Sequence, residues 1–359
     1  MQTKPRKVYI DFLRIMATFL VIFNHLPGNY LYESSTGVAT NVYLFISTFT
    51  KVNVPLFFMI SGSMLLSKDE DYKTILKKRV LRIALVLVLF EIAAYLMVFL
   101  RNLLVIKEAH FSMKELFLSI LAGDSKVVFQ YWYLYAYLGF LLLLPFMRGA
   151  AKQMDRSGFT VLLVLKCLLT IVLPFVNKLL QELGVSTLTL SEDFKLPLVA
   201  FDAFFYPLMG YYIDQKLKIN EWKCGRVLGL VILGIAAMVS SVLLTGYDLR
   251  VNGVASERYM DLIAFAETFV VFITVKWLFM QKECPERFGK IICSIGKLTF
   301  GIYLLDSFVK YLLYFFYVGK VERFLPTIVI SYGWCIISML LGGLITWVLR
   351  KLPGIKKLL

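Results

Sequence analysis

His25 stands eleven positions after Arg14 in the stretch DFLRIMATFLVIFNH, and the chain holds one other histidine, His110. An imidazole titrates near neutral pH, so it can take up or give a proton there. At about 100° and ~1.5 Å per helical residue, Arg14 and His25 lie about 20° apart around a helix axis and ~16 Å apart along it. Asp11, Arg14, Thr18 and His25 all fall within about 40° of one another. They make one polar stripe on an otherwise apolar helix. Two readings fit the stripe. Asp11 and Arg14 form an i,i+3 ion pair near an interface with His25 as an interfacial cap, or the stripe lines a polar interior or pathway.

A second constellation follows in Lys77-Lys78-Arg79-Val80-Leu81-Arg82. Spacing puts Arg79 and Arg82 on one helix face. They serve either as basic anchors at a membrane edge or as a phosphate clamp, since guanidinium binds phosphate bidentately. With Arg14 they would ring one entrance. Seven further charges fall in apolar runs: Glu91, Lys166, Asp202, Asp261, Glu267, Lys276 and Asp306. His110, in the polar segment KEAH, reads as solvated surface. Cys167, Cys224, Cys284, Cys293 and Cys335 have no C-x-x-C spacing and imply no disulfide framework. No metal site is expected.

The elements that must hold these residues are membrane helices. Hydrophobic residues make up 59% of the 359 and charged residues 18%, against about a quarter charged in soluble domains. Ten apolar runs are long enough to cross a bilayer: about 9–27, 43–66, 80–100, 129–147, 159–176, 197–213, 227–246, 259–280, 298–318 and 325–349. Lys51, Asn53 and Pro55 interrupt the second. The fold class expected is all-α and polytopic, in one membrane domain over 1–359. The net charge of +15 is spread through short loops and does not imply nucleic acid. With the N-terminus inside, inner segments hold 24 Lys and Arg and outer ones 11, which places both termini in the cytoplasm. Asp11 and Arg14 interrupt the first run and no A-x-A site follows, so it is a retained span and not a cleaved signal. The stretch FSMKELFLSILAG reads as an amphipathic helix at the outer interface. The expected location is the cell membrane, with the lipid bilayer as one partner.

With these residues in view, the chain resembles the integral-membrane acyltransferase 3 family, whose members O-acylate sugars and cell-envelope polymers. Arg14 and His25 match that family's R/K-x10-H motif, within a wider pattern carried here by Ile10, Asp11, Leu13, Arg14 and Ala17. Phe57-Phe58-Met59-Ile60-Ser61-Gly62 is similar to its F-F-x-x-S-G element, and Arg79-Val80-Leu81-Arg82 to its R-x-x-R motif. Tyr131-Trp132-Tyr133-Leu134 through Leu144-Pro145 resembles its W-x-L…P span. Phe300-Gly301-Ile302-Tyr303-Leu304-Leu305 resembles a G-I-Y-L-x-H element, but Asp306 stands where the histidine often falls. The motifs occur in order over nearly the whole chain.

The resemblance implies a donor, cytosolic acyl-CoA, and an acceptor hydroxyl on the outer side, in a glycan or a lipid-linked sugar. Arg14, Arg79 and Arg82 would hold the CoA phosphates. The pantetheine arm would follow the stripe of the first helix to His25, the expected catalytic residue, acting as general base or acyl carrier. An orienting carboxylate must come from another span, with Asp306 and Glu91 the options. No permanently bound cofactor is implied, and acetyl is the expected acyl group. Two rival classes share these features: a polysaccharide exporter, and a membrane sensor that binds acyl-CoA without turnover.

Overall fold

The computed structural model describes residues 6–25, 38–107, 110–123, 128–191, 194, 196–253, 257–313 and 327–359. All regular structure among them is helical. The main helices in chain order are α1 (Val8–Asn24), α2 (Val38–Thr50), α3 (Asn53–Leu65), α4 (Leu81–Arg101), α5 (Met113–Ala122), α6 (Trp132–Leu142), α7 (Leu144–Gln153), α8 (Arg156–Cys167), α9 (Leu173–Glu182), α10 (Asp202–Tyr211), α11 (Cys224–Asn252), α12 (Glu257–Gln281), α13 (Glu286–Gly296), α14 (Thr299–Leu313) and α15 (Thr327–Leu349). Six stretches among the described residues are long and apolar enough to span a membrane; two broken pairs, α6 with α7 and α13 with α14, raise this to eight when each counts as one span. The protein is an all-α, multi-pass membrane protein. The α1 helix, 17 residues long, sits at the short end of the length that crosses hydrocarbon.

Two expected runs are interrupted, the first of them where Lys51, Asn53 and Pro55 foretold it. The run 43–66 becomes α2 and α3, joined through Lys51 and Val52. The run 197–213 becomes a turn of helix at Pro197–Ala200, then α10, then a π-turn at Tyr212–Lys216. Residues 314–318 of the run 298–318 lie outside the described residues. FSMKELFLSILAG forms α5. Ser112 caps it by accepting the backbone N–H of Glu115 at 3.2 Å, and Gly123 ends it with φ +65°, the left-handed stop that glycine allows.

The chain divides into two compact units, one of residues 1–68 and 146–296, the other of 69–145 and 297–359. In the first, α1 packs on α2, α3, α12 and α13, α3 on α10, and α2 against α11 and α12. The α3–α10 crossing is made by two glycines. A Cβ on Gly62 would lie 1.9 Å from the Pro207 carbonyl oxygen, and one on Gly210 would lie 2.0 Å from the Met59 carbonyl oxygen. The two backbones touch because both positions lack side chains, the small-residue packing that membrane helices favour. Gly62 of the F-F-x-x-S-G element is therefore a packing residue. In the second unit α14 and α15 form the main pair, with Gly301 and Gly342 admitting Thr346 and Ile302. There α4 packs on α5 and α6.

Candidate functional site

The N-terminal end of α1 carries a dense polar cluster. Asp11 is 1% exposed. Its Oδ1 accepts Nη2 of Arg6 at 2.8 Å and Nη1 of Arg14 at 3.2 Å. Arg6 Nε donates to Oδ2, completing a fork on the carboxylate. The i,i+3 pair foreseen from spacing is present, and a second arginine joins it. Arg6 lies before the helix begins, where Lys7 is still extended (φ −77°, ψ 100°), so the chain can fold its side chain back onto Asp11. These bonds hold the Arg6 guanidinium above its ordinary pKa. Gly296, at the end of α13, seats the carboxylate: a Cβ there would stand 2.7 Å from the Asp11 Cβ.

A neighbouring node centres on Asp214, whose side chain is 2% exposed. It accepts the hydroxyl of Tyr9 and pairs with Lys7. Lys276 Nζ lies 3.8 Å from its Oδ1 and donates to the carbonyls of Ile213 at 2.8 Å and Asp214 at 2.9 Å. These contacts tie the start of α1 to the π-turn after α10 and to α12. Lys276, expected only as an intramembrane charge, is thus fixed by backbone oxygens.

From this end α1 runs unbroken to its C-cap, His25. The Thr18 hydroxyl folds back on the Arg14 carbonyl at 2.8 Å, so a polar residue is buried without interrupting the helix. Because no π-turn or proline intervenes, Arg14 and His25 keep the helical separation of ~16 Å. The backbone N–H of His25 reaches Val21 and Ile22 carbonyls at 3.1 and 3.2 Å, and its side chain is half-buried. Asn24 beside it accepts from the Thr50 hydroxyl at 3.3 Å, which ties the ends of α1 and α2 together.

The R-x-x-R pair lies in the second unit. Arg79 falls in a π-turn, Leu76–Val80, and Arg82 in α4 just beyond. Their side chains take different partners. Arg79 forks onto Glu70, Nη2 at 2.6 Å and Nε at 3.1 Å. Arg82 gives Nε to the Leu358 carbonyl at 3.0 Å and lies over the Phe300 ring. The same unit holds both carboxylates considered for orienting a histidine. Glu91 and Asp306 are 3% and 4% exposed, in the same unit as Tyr131 with its buried hydroxyl. That hydroxyl donates to Leu304 O at 2.6 Å, Tyr303 donates to Gln130 O at 2.5 Å, and Ser307 to Gln130 Oε1 at 2.7 Å.

A family model described as an acyltransferase domain matches residues 7–348. The chain belongs to the acyltransferase 3 family. The match takes in Arg14, His25, Arg79, Arg82 and Asp306. No curated relative and no solved structure matches the chain.

For an acyltransferase of this family, sequence reasoning missed Arg6, Tyr9, Asp214 and Gly296. Arg6 carried a weak signal, a basic residue five positions before an intramembrane acid. The others meet their partners across the fold and carried none. Of the remaining charges, Lys166 pairs with Asp202 at 2.8 Å, and the Asp261 side chain lies outside the described residues. Glu267 is 4% exposed, and neither of its oxygens has a hydrogen-bond partner among the described residues. No group of three His, Cys, Asp or Glu able to hold a metal occurs among the described residues.

Proposed function

We propose that this membrane acyltransferase is an O-acetyltransferase. It takes an acetyl group from cytosolic acetyl-CoA to a hydroxyl of a glycan or lipid-linked sugar on the outer side of the cell membrane, with both termini in the cytoplasm. The observation that carries the reading is the unbroken α1, with an arginine cluster at one end and His25 at the other. Arg14 meets the CoA phosphates, for which a guanidinium fork is suited. The ~16 Å to His25 is of the order an extended pantetheine arm covers. Arg79 and Arg82 are proposed as further phosphate contacts.

His25 acts as general base. It takes the proton of the acceptor hydroxyl as that oxygen bonds to the acyl carbon; the carbon–sulfur bond breaks, and the proton passes to the departing thiolate, giving free CoA. An imidazole with a pKa near neutral suits both transfers. Were His25 an acyl carrier instead, purified protein would release a burst of CoA without acceptor. Family membership supports acyl transfer over the exporter and sensor readings. Mass spectrometry of surface glycans tests the whole: cells lacking the gene should lose an acetyl increment from one glycan, and unchanged glycans in every fraction would refute the reading.

A further inference from the structure

Asp11 has one charge and two arginines on it. Arg6 spends two of its five N–H donors there and Arg14 one. The carboxylate is buried, while the Arg6 and Arg14 side chains keep 41% and 30% of their exposure. Lys7 turns to Asp214, and among the described residues the Asp11 node sets two arginines against one carboxylate. One arginine would suffice to neutralise Asp11. With the second, both guanidinium groups are held at one buried carboxylate and keep N–H donors that Asp11 does not use, on side chains that remain partly exposed. That is the equipment of a phosphate site.

We propose that Arg6 and Arg14 together form this site: both are phosphate ligands, and Asp11, backed by the bare backbone of Gly296, is the residue that positions them. The proposal rests on the acyl-CoA reading for its ligand, since it adds Arg6 to the contacts of the donor. Phosphate on an anionic lipid headgroup has the same chemistry, and the two sources separate by experiment.

Full-length protein in detergent is titrated with CoA, and the same protein is placed in nanodiscs of phosphatidylcholine with and without phosphatidylglycerol. Arg6→Ala is expected to weaken CoA binding about tenfold, the scale of one charge-assisted contact, without lowering the melting temperature of the ligand-free protein. Arg6→Lys, which keeps the charge and loses the fork, should recover part of the loss. Asp11→Asn should raise KM for acyl-CoA more than it lowers kcat, and Gly296→Ala, which changes no charge, should do the same. If wild-type protein binds no CoA, the donor reading falls. If CoA binds and Arg6→Ala binds it equally well while responding less to phosphatidylglycerol, the site takes lipid phosphate and the CoA assignment is overturned. A lower melting temperature with both ligands unaffected would make the cluster a staple of α1 onto α13 and overturn the site itself.

Discussion

Gly62 and Pro207 meet backbone to backbone: a Cβ on the glycine would lie 1.9 Å from the Pro207 carbonyl oxygen. Neither backbone can yield by rotating a side chain. Gly62→Ala is therefore expected to force α3 and α10 apart. The cost should be at the upper end of that for overpacking, about 3 kcal/mol. Thermal unfolding in detergent measures it. An unchanged melting temperature would mean that the crossing is looser than described.

The fork of Arg79 on Glu70 makes an opposite pair of predictions. A phosphate that uses Arg79 must displace this carboxylate. Glu70→Gln should then lower KM for acyl-CoA, and Arg79→Ala should raise it. If the pair only anchors the start of α4, both variants lose stability together and leave KM alone.

Glu267 is buried, and neither of its oxygens has a hydrogen-bond partner among the described residues. Removing a polar group that is buried without a partner relieves a desolvation cost of about 1–3 kcal/mol. Glu267→Met, similar in length and apolar, should raise the melting temperature. Wild-type turnover in that variant would mark Glu267 as a structural defect of α12, whereas a stabilised protein without activity would assign it a part in the reaction.

Much of this was legible because helices are periodic. The 11-residue spacing of Arg14 and His25 foretold one stripe, and α1 carries both on one uninterrupted helix. The break in the run 43–66 followed from Lys51, Asn53 and Pro55. What escaped depends on residues distant in sequence or on local departures from the 3.6-residue repeat. Tyr9 meets Asp214 across 205 positions, and nothing in DFLRIMATFLVIFNH points there. Gly62 was visible as part of a motif, but its reason, the carbonyl of Pro207, lies on another helix. Arg79 falls in a π-turn at Leu76–Val80, and its partner Glu70 and the Arg82 partner Leu358 could not be read from the spacing of the two arginines.

The arginine cluster also predicts a pattern among single variants. Arg14→Ala should raise KM for acyl-CoA, while His25→Ala should leave CoA binding intact. Titration of each purified variant with CoA separates the two ends of α1, and equal losses of CoA binding would mean that they do not have distinct roles.

The central claim is that His25 moves the proton in acyl transfer. The most direct measurement is acetyl transfer from labelled acetyl-CoA to glycan acceptor by purified His25→Ala protein, with CoA affinity followed in the same preparation. The account predicts a rate about 10²–10⁴-fold below wild type with CoA affinity unchanged. Transfer at the wild-type rate would contradict it.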